Sequence, residues 1–136
     1  MSIVSLDLPR PPSVNKLFRN VPGKGRVKTG HYKAWIEQAG WEIRRQRPGK
    51  IDGAYKLLVL IGPTRADIDN LSKGLSDLLQ AHGVVENDRL ADSLHMERCN
   101  DLPPQTIRCC VMKEDTWVPL SNAVAHVLQN IAKVSA

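Results

Sequence analysis

Aromatic residues are few: three Trp, two Tyr and one Phe in 136 residues. A nucleic-acid binder that stacks successive bases on many rings is disfavoured by that shortage. Cysteine is scarce as well, with Cys109 next to Cys110 and Cys99 standing apart. The chain has no Cys-x-x-Cys and no histidines at ligand spacing. A disulfide framework and a zinc site are therefore disfavoured, and three reduced, partly buried thiols are expected. The longest apolar run, residues 57–62, falls far short of the roughly 20 residues a membrane helix needs. The opening residues, MSIVSLDLPRPP, hold no basic segment followed by an apolar one, so no secretory signal is expected. These absences predict a soluble, cytoplasmic protein.

A hydrophobic share of 42% is enough for a core, and the length suits one domain rather than two. The net charge is +5, but it is unevenly spread. Residues 1–60 hold twelve Lys and Arg against four Asp and Glu, whereas residues 61–136 hold seven against ten. Phosphates call for cations and divalent ions call for acidic oxygens, so this division suits a metal-dependent enzyme acting on nucleic acid. A solvated basic surface without a partner would give the same totals.

Apolar–polar alternation predicts a strand over residues 3–8, stopped by Pro9, Pro11 and Pro12. Residues 11–30 read as a long irregular stretch, in which Lys24, Arg26 and Lys28 recur at every second position among glycines. An extended arm of that kind would lie along a phosphate backbone. Trp35, Ile36, Ala39 and Ile43 mark a helix over residues 32–47, ended by Pro48 and Gly49. Residues 54–62 are almost wholly apolar and predict a central strand covered on both faces. Leu71, Leu75, Leu78 and Leu79 predict a helix over residues 70–81, with Asp69 as its N-cap and Gly83 just past its end. Weaker strand signals occupy residues 90–97 and 106–112. Leu120, Val124, Val127, Leu128 and Ile131 predict a C-terminal amphipathic helix. The fold expected is a single α/β domain, with a mixed sheet of about four strands packed with two to three helices.

The chemistry-bearing segment is Arg65-Ala66-Asp67-Ile68-Asp69-Asn70-Leu71-Ser72-Lys73, where the central strand gives way to the second helix. In extended backbone, residues i and i+2 point to one side, so Asp67 and Asp69 would present two carboxylates to one point. Magnesium takes hard oxygen ligands, often only one or two carboxylates, and completes its shell with water and phosphate. Asp88 could join the pair only if the chain after Gly83 folds back along a helix about 18 Å long. A third acid would allow a second ion, and paired ions clamp both attacking and leaving oxygens in phosphodiester hydrolysis. Lys73, one turn after Asp69, would extend its ammonium along the same face. A capping Asp69 and an ordinary Asp69–Lys73 ion pair explain these spacings equally well. Asp77 reads as a surface residue two turns along, Glu86, Asp92 and Glu97 are weaker ligand candidates, and the four histidines read as structural or surface groups.

The string Asp67-Ile68-Asp69-Asn70-Leu71-Ser72-Lys73, with Asp77-Leu78-Leu79, Gly83-Val84-Val85 and Asp88, resembles the core signature of RusA-type Holliday-junction resolvases. Pro11-Pro12-Ser13-Val14-Asn15, followed by Phe18-Arg19, resembles that family's N-terminal motif. The resemblance spans residues 3–112. It implies a small α/β homodimer of bacteria and their prophages that nicks two strands of a four-way DNA junction symmetrically, using Mg2+, with Mn2+ as a substitute. It also implies that Asp67, Asp69 and Asp88 are metal-binding catalytic acids and Lys73 the catalytic lysine. Asn15, Lys16, Arg19, Lys24, Arg26, Lys28 and Arg65 are the residues expected to bind DNA. Where the family commonly has adjacent acids, this chain has Asn87-Asp88. Residues 1–116 are expected to form the nuclease domain and 117–136 a helical extension of it. Two other readings share these residues: a non-catalytic DNA-binding or architectural module, and another metal-dependent phosphoryl-transfer enzyme. The second lacks a phosphate-cradling glycine loop.

Overall fold

The computed structural model describes residues 3–113. Its strands are β1 (Ile3–Pro9), β2 (Phe18–Val21), β3 (Gly25–Lys28), β4 (Tyr55–Ile61), β5 (Ala91–Arg98) and β6 (Thr106–Lys113). Its helices are α1 (Gly30–Gln46) and α2 (Ser72–Ala81). The main sheet has the order β1-β6-β4-β5. β6 runs antiparallel to both β1 and β4, while β5 runs parallel to β4. The sheet is therefore mixed, as the hydrophobic pattern predicts. The C-terminal helix expected near residues 120–131 lies outside the described residues.

β4 is buried nearly throughout because both its faces are used. Leu57, Val59 and Ile61 face the larger core, shared with Tyr32, Trp35, Ala39 and Ile43 of α1 and Leu75, Leu78 and Leu79 of α2. Leu58 and Leu60 face a smaller cluster with Cys99, Leu102, Cys110 and Met112. Each fully buried leucine contributes about 1.5–3 kcal/mol, so α2 is held chiefly by its leucine stripe. All three cysteines are free and buried. Burial pushes the Cys109 thiol up to about 12 and that of Cys110 to about 11, which keeps both protonated and unreactive.

Two expectations need correction. Residues 11–30 are not irregular throughout, since β2 and β3 pair antiparallel as a hairpin. Pro22 and Gly23 occupy the centre of its turn. Gly23 has φ 80°, the positive value a type II turn requires, and Lys24 N–H donates to the Val21 carbonyl at 3.0 Å. The hairpin is tied to α1 through Thr29, whose Oγ1 caps the helix at Tyr32 N and donates to the Lys16 carbonyl at 2.6 Å.

The second correction concerns Asp69. α2 starts at Ser72, with Leu71 at the cap position and no side-chain cap. Asp69 instead lies inside a 3₁₀ turn, Ile68–Asn70, that precedes the helix. The leucine periodicity predicted the helix correctly. Its start shifts because Leu71, wholly buried, needs the tighter turn before it to reach the core.

Candidate active site

β4, α2 and β5 form a strand–helix–strand crossover between parallel neighbours. In open α/β sheets, ligands gather outside the carboxyl ends of parallel strands. The loop leaving that end of β4 carries Arg65, Asp67 and Asp69. Asp67 has extended backbone, with φ −70° and ψ 124°, and Asp69 lies in the first turn after it. Both residues are exposed. Among the described residues, neither carboxylate takes a hydrogen bond or an ion pair. The Asp69–Lys73 pair that the spacing allowed is not made.

Lys73 turns the other way. Its Nζ lies 3.1 Å from Asp77 Oδ1 and 3.8 Å from Asp88 Oδ2. The chain after Gly83 turns back onto α2, but it brings Asp88 beside Gln80 and the Lys73 ammonium, not into a group with Asp67 and Asp69. Gly83, at φ 71°, ends α2, after which Val84 and Val85 bury themselves, and Ile51 N–H bonds the Val84 carbonyl at 2.8 Å. Asp88 N–H then donates to Gln80 Oε1 at 2.8 Å, which brings the 3₁₀ turn Asp88–Leu90 against α2. Asn87 caps that turn by accepting from Arg89 N–H at 2.9 Å, a bond an aspartate would make equally well. Asp77, read from the sequence as mere surface, joins this group beside Lys73.

The predicted acids therefore lie in two places, with Asp67 and Asp69 on the loop and Asp88 beside Lys73 and Asp77. Among the described residues, no three His, Cys, Asp or Glu side chains gather closely enough to hold one ion. Asp69 lies in a 3₁₀ turn and not in extended backbone, so the i, i+2 alternation expected to aim both carboxylates at one point does not hold; what suits a divalent cation is that the oxygens of both are exposed and uncommitted. Two tyrosines feel the charges of the other group. Burial raises the Tyr55 pKa, helped by the Asp88 charge, and burial raises that of Tyr32, helped by Asp77. Tyr55 OH is buried and without a hydrogen-bond partner.

A groove of about 680 Å3 runs beside the loop, lined by Arg10, Pro12, Ser13, Lys16, His31, Pro63, Thr64, Arg65, Ala66 and Gln105. It contains three permanent cations and one histidine, and no acid. Arg10 is preset there, with Nε 2.6 Å from Gln105 Oε1 and Nη1 2.9 Å from the Pro11 carbonyl. Lys16 and Arg65 are predicted DNA-binding residues that the structure brings together. Arg10 and His31, the latter read from the sequence as structural or surface, also line the groove, and neither carries a spacing signal.

The arm residues divide differently from expectation. Arg26 pairs with Asn20 and Lys28 with Phe18, so these two cations share one face of the hairpin, with Arg19 on the other. The Arg26 guanidinium lies 4.0 Å from the centre of the Phe18 ring, which holds it against the hairpin. Asn15 is exposed in a 3₁₀ turn, Val14–Lys16, and Lys24 is exposed at the hairpin turn.

Cations for phosphates beside free carboxylates for a divalent ion are what a nuclease needs. A family model described as endodeoxyribonuclease RusA matches residues 9–108, a span that holds the groove, the loop, Lys73 and Asp88. The crossover junction endodeoxyribonuclease RusA of Aquifex aeolicus (strain VF5) is 39% identical over 89 residues, covering 62% of this chain and 69% of that protein. The chain belongs to the RusA family of endodeoxyribonucleases. Membership makes it an enzyme of the crossover junction endodeoxyribonuclease class. Among the described residues, no helix is long and apolar enough to cross a membrane.

Proposed function

We propose that this chain, as a cytoplasmic homodimer, resolves four-way DNA junctions in recombination and repair by paired, symmetric nicks that depend on Mg2+, with Mn2+ as a substitute. The observation that carries this reading is the pair of exposed, uncommitted carboxylates, Asp67 and Asp69, beside a groove lined by Arg10, Lys16, His31 and Arg65. Asp67 and Asp69 would hold the divalent ion, with Asp88 as the third acid. The chemistry supplied there, once an ion is bound, would be polarisation of the scissile phosphate and activation of a water.

The chain's own residues do the rest. The groove cations bind backbone phosphates and set the register of the strand, with Asn15, Arg19, Lys24, Arg26 and Lys28 extending the contact outward. Lys73 is held by Asp77 and Asp88 until a phosphate competes for its ammonium. That competition frees Asp88 to turn toward Asp67 and Asp69, and places a positive charge where negative charge develops in the transition state. One site cuts one strand. Cutting two opposed strands symmetrically calls for a second site related by a twofold axis, which a homodimer supplies most simply.

The test is incubation of the full chain with a synthetic four-way junction and Mg2+. Symmetric paired nicks are expected, with none from Asp69→Asn, which should retain junction binding. Cleavage undiminished by Asp67→Asn or Asp69→Asn would remove these residues from the site. Tight junction binding without cleavage at any Mg2+ or Mn2+ concentration would leave a non-catalytic DNA-binding module.

A further inference from the structure

The loop that carries Asp67 and Asp69 has few ties of its own. Residues 62–67 lie outside every helix and strand, and Arg65 and Asp67 are exposed. Its backbone is anchored from two sides. On one side Gly62 N–H donates to the Thr106 carbonyl at 2.8 Å, and Gln105 N–H donates to the Pro63 carbonyl at 3.1 Å. On the other side is Arg98, the last residue of β5, which pairs in register with Ile61 at the end of β4. Its Nη1 donates to the Thr64 carbonyl at 2.8 Å and its Nη2 to the Ala66 carbonyl at 2.9 Å.

Those two carbonyls belong to alternate residues of the segment leading directly into Asp67. One planar guanidinium, rooted in the neighbouring parallel strand, holds both. Rotation of the Thr64–Arg65 peptide would break one bond, and rotation of the Ala66–Asp67 peptide the other. The fork thereby fixes the direction in which the backbone enters Asp67, and so where the Asp67 and Asp69 carboxylates point. A lysine could reach either carbonyl, but it lacks the rigid two-pronged geometry. The two terminal nitrogens of the guanidinium are each engaged by a protein carbonyl, which holds the group against the loop.

We propose that Arg98 is a positioning residue for the catalytic loop. Its two hydrogen bonds hold residues 64–66 so that Asp67 and Asp69 are preset for a divalent ion and the scissile phosphate. The proposal rests on the nuclease reading above and assigns Arg98 no contact with DNA. A misplacement of about 1 Å at a reacting centre costs on the order of 100-fold in rate, which sets the scale of the effect.

The test compares wild type, Arg98→Ala and Arg98→Lys in the full chain. Three readouts are taken: junction affinity in EDTA, kcat and KM at saturating Mg2+, and amide hydrogen exchange of residues 64–70. Arg98→Ala is expected to lower kcat roughly 10- to 100-fold, with KM and metal-free affinity within about threefold of wild type. Its exchange should quicken in residues 64–70 while α2 and the sheet keep their protection. Arg98→Lys should recover part of both losses. A matching loss of junction affinity would make Arg98 a DNA contact instead, and an unchanged kcat would end the proposal. Quickened exchange throughout the sheet would mark a residue of general stability. If wild type nicks no junction, the nuclease reading has failed separately, and unchanged exchange over residues 64–70 in Arg98→Ala would still overturn the positioning role.

Discussion

Lys73 Nζ lies 3.8 Å from Asp88 Oδ2, joining the first turn of α2 to the turn that precedes β5. The Lys73 side chain runs along the helix past Asp77 to make that approach, while Asp88 is tied to Gln80 near the helix end. Asp77 holds the same ammonium more closely, at 3.1 Å. Half-exposed pairs of this kind are worth little to stability, about 0–1 kcal/mol, so their importance is in directing the lysine.

Lys73→Met should therefore lower junction cleavage by about 100-fold or more while leaving thermal stability nearly unchanged. Asp77→Asn should change cleavage by less than about fivefold, because it loosens Lys73 without removing a metal-facing acid. Single-turnover cleavage of a labelled junction checks both.

The groove makes a separate prediction about binding. Arg10→Gln and His31→Gln should each weaken junction affinity and leave kcat at saturation intact. For Arg10→Gln, the slope of log affinity against log salt should become shallower by about one unit, as expected for one lost phosphate contact. Fluorescence anisotropy across a salt series reads this directly. An unchanged slope would remove Arg10 from the DNA surface.

Gly62 is a steric necessity. A Cβ there would run into the Pro103 carbonyl oxygen, a backbone atom that cannot swing aside. Gly62→Ala should cost about 1–3 kcal/mol by urea denaturation, and should disturb the loop that begins there.

Stability should fall at both ends of the pH scale. Burial, helped by the Arg44 charge, lowers the His82 pKa from 6.5. The unfolded chain therefore binds the extra proton first, and this stability is present above about pH 6.5 and lost as pH drops below it. Cys109 and Cys110 are raised from 9.0 to about 12 and about 11. Their stability is full below pH 9 and is lost progressively as pH climbs toward those values, with Tyr32 and Tyr55 adding in the same direction above 10. Urea midpoints across this range, in reducing buffer, check the curve. His82→Gln should flatten its acidic limb.

The helices and the main sheet were legible because their burial follows simple periods. Leu71, Leu75, Leu78 and Leu79 recur at helical spacing, and residues 55–61 are apolar on both faces of a strand. The hairpin was misread although its signal was present. Pro22-Gly23 is a turn pair, but polar, cationic strands lying off the core lack the apolar alternation by which strands are recognised. The cap assigned to Asp69 failed because burial of Leu71 decided where the helix could begin.

By itself, the order of residues determined the domain class, the core stripes, the basic-then-acidic division and the Asp67–Asp69 segment with Lys73 that marks the family. These are local properties, carried by periodicity and by short spacing. Only the tertiary structure decided that Lys73 turns to Asp77 and Asp88 rather than to Asp69. It also set Arg10 and His31 in one groove with Lys16 and Arg65, and brought Arg98 at the end of β5 onto the carbonyls of Thr64 and Ala66. Those arrangements depend on how β4, α2 and β5 pack across long stretches of chain, and side chains so far apart in sequence leave no spacing from which their meeting could be read.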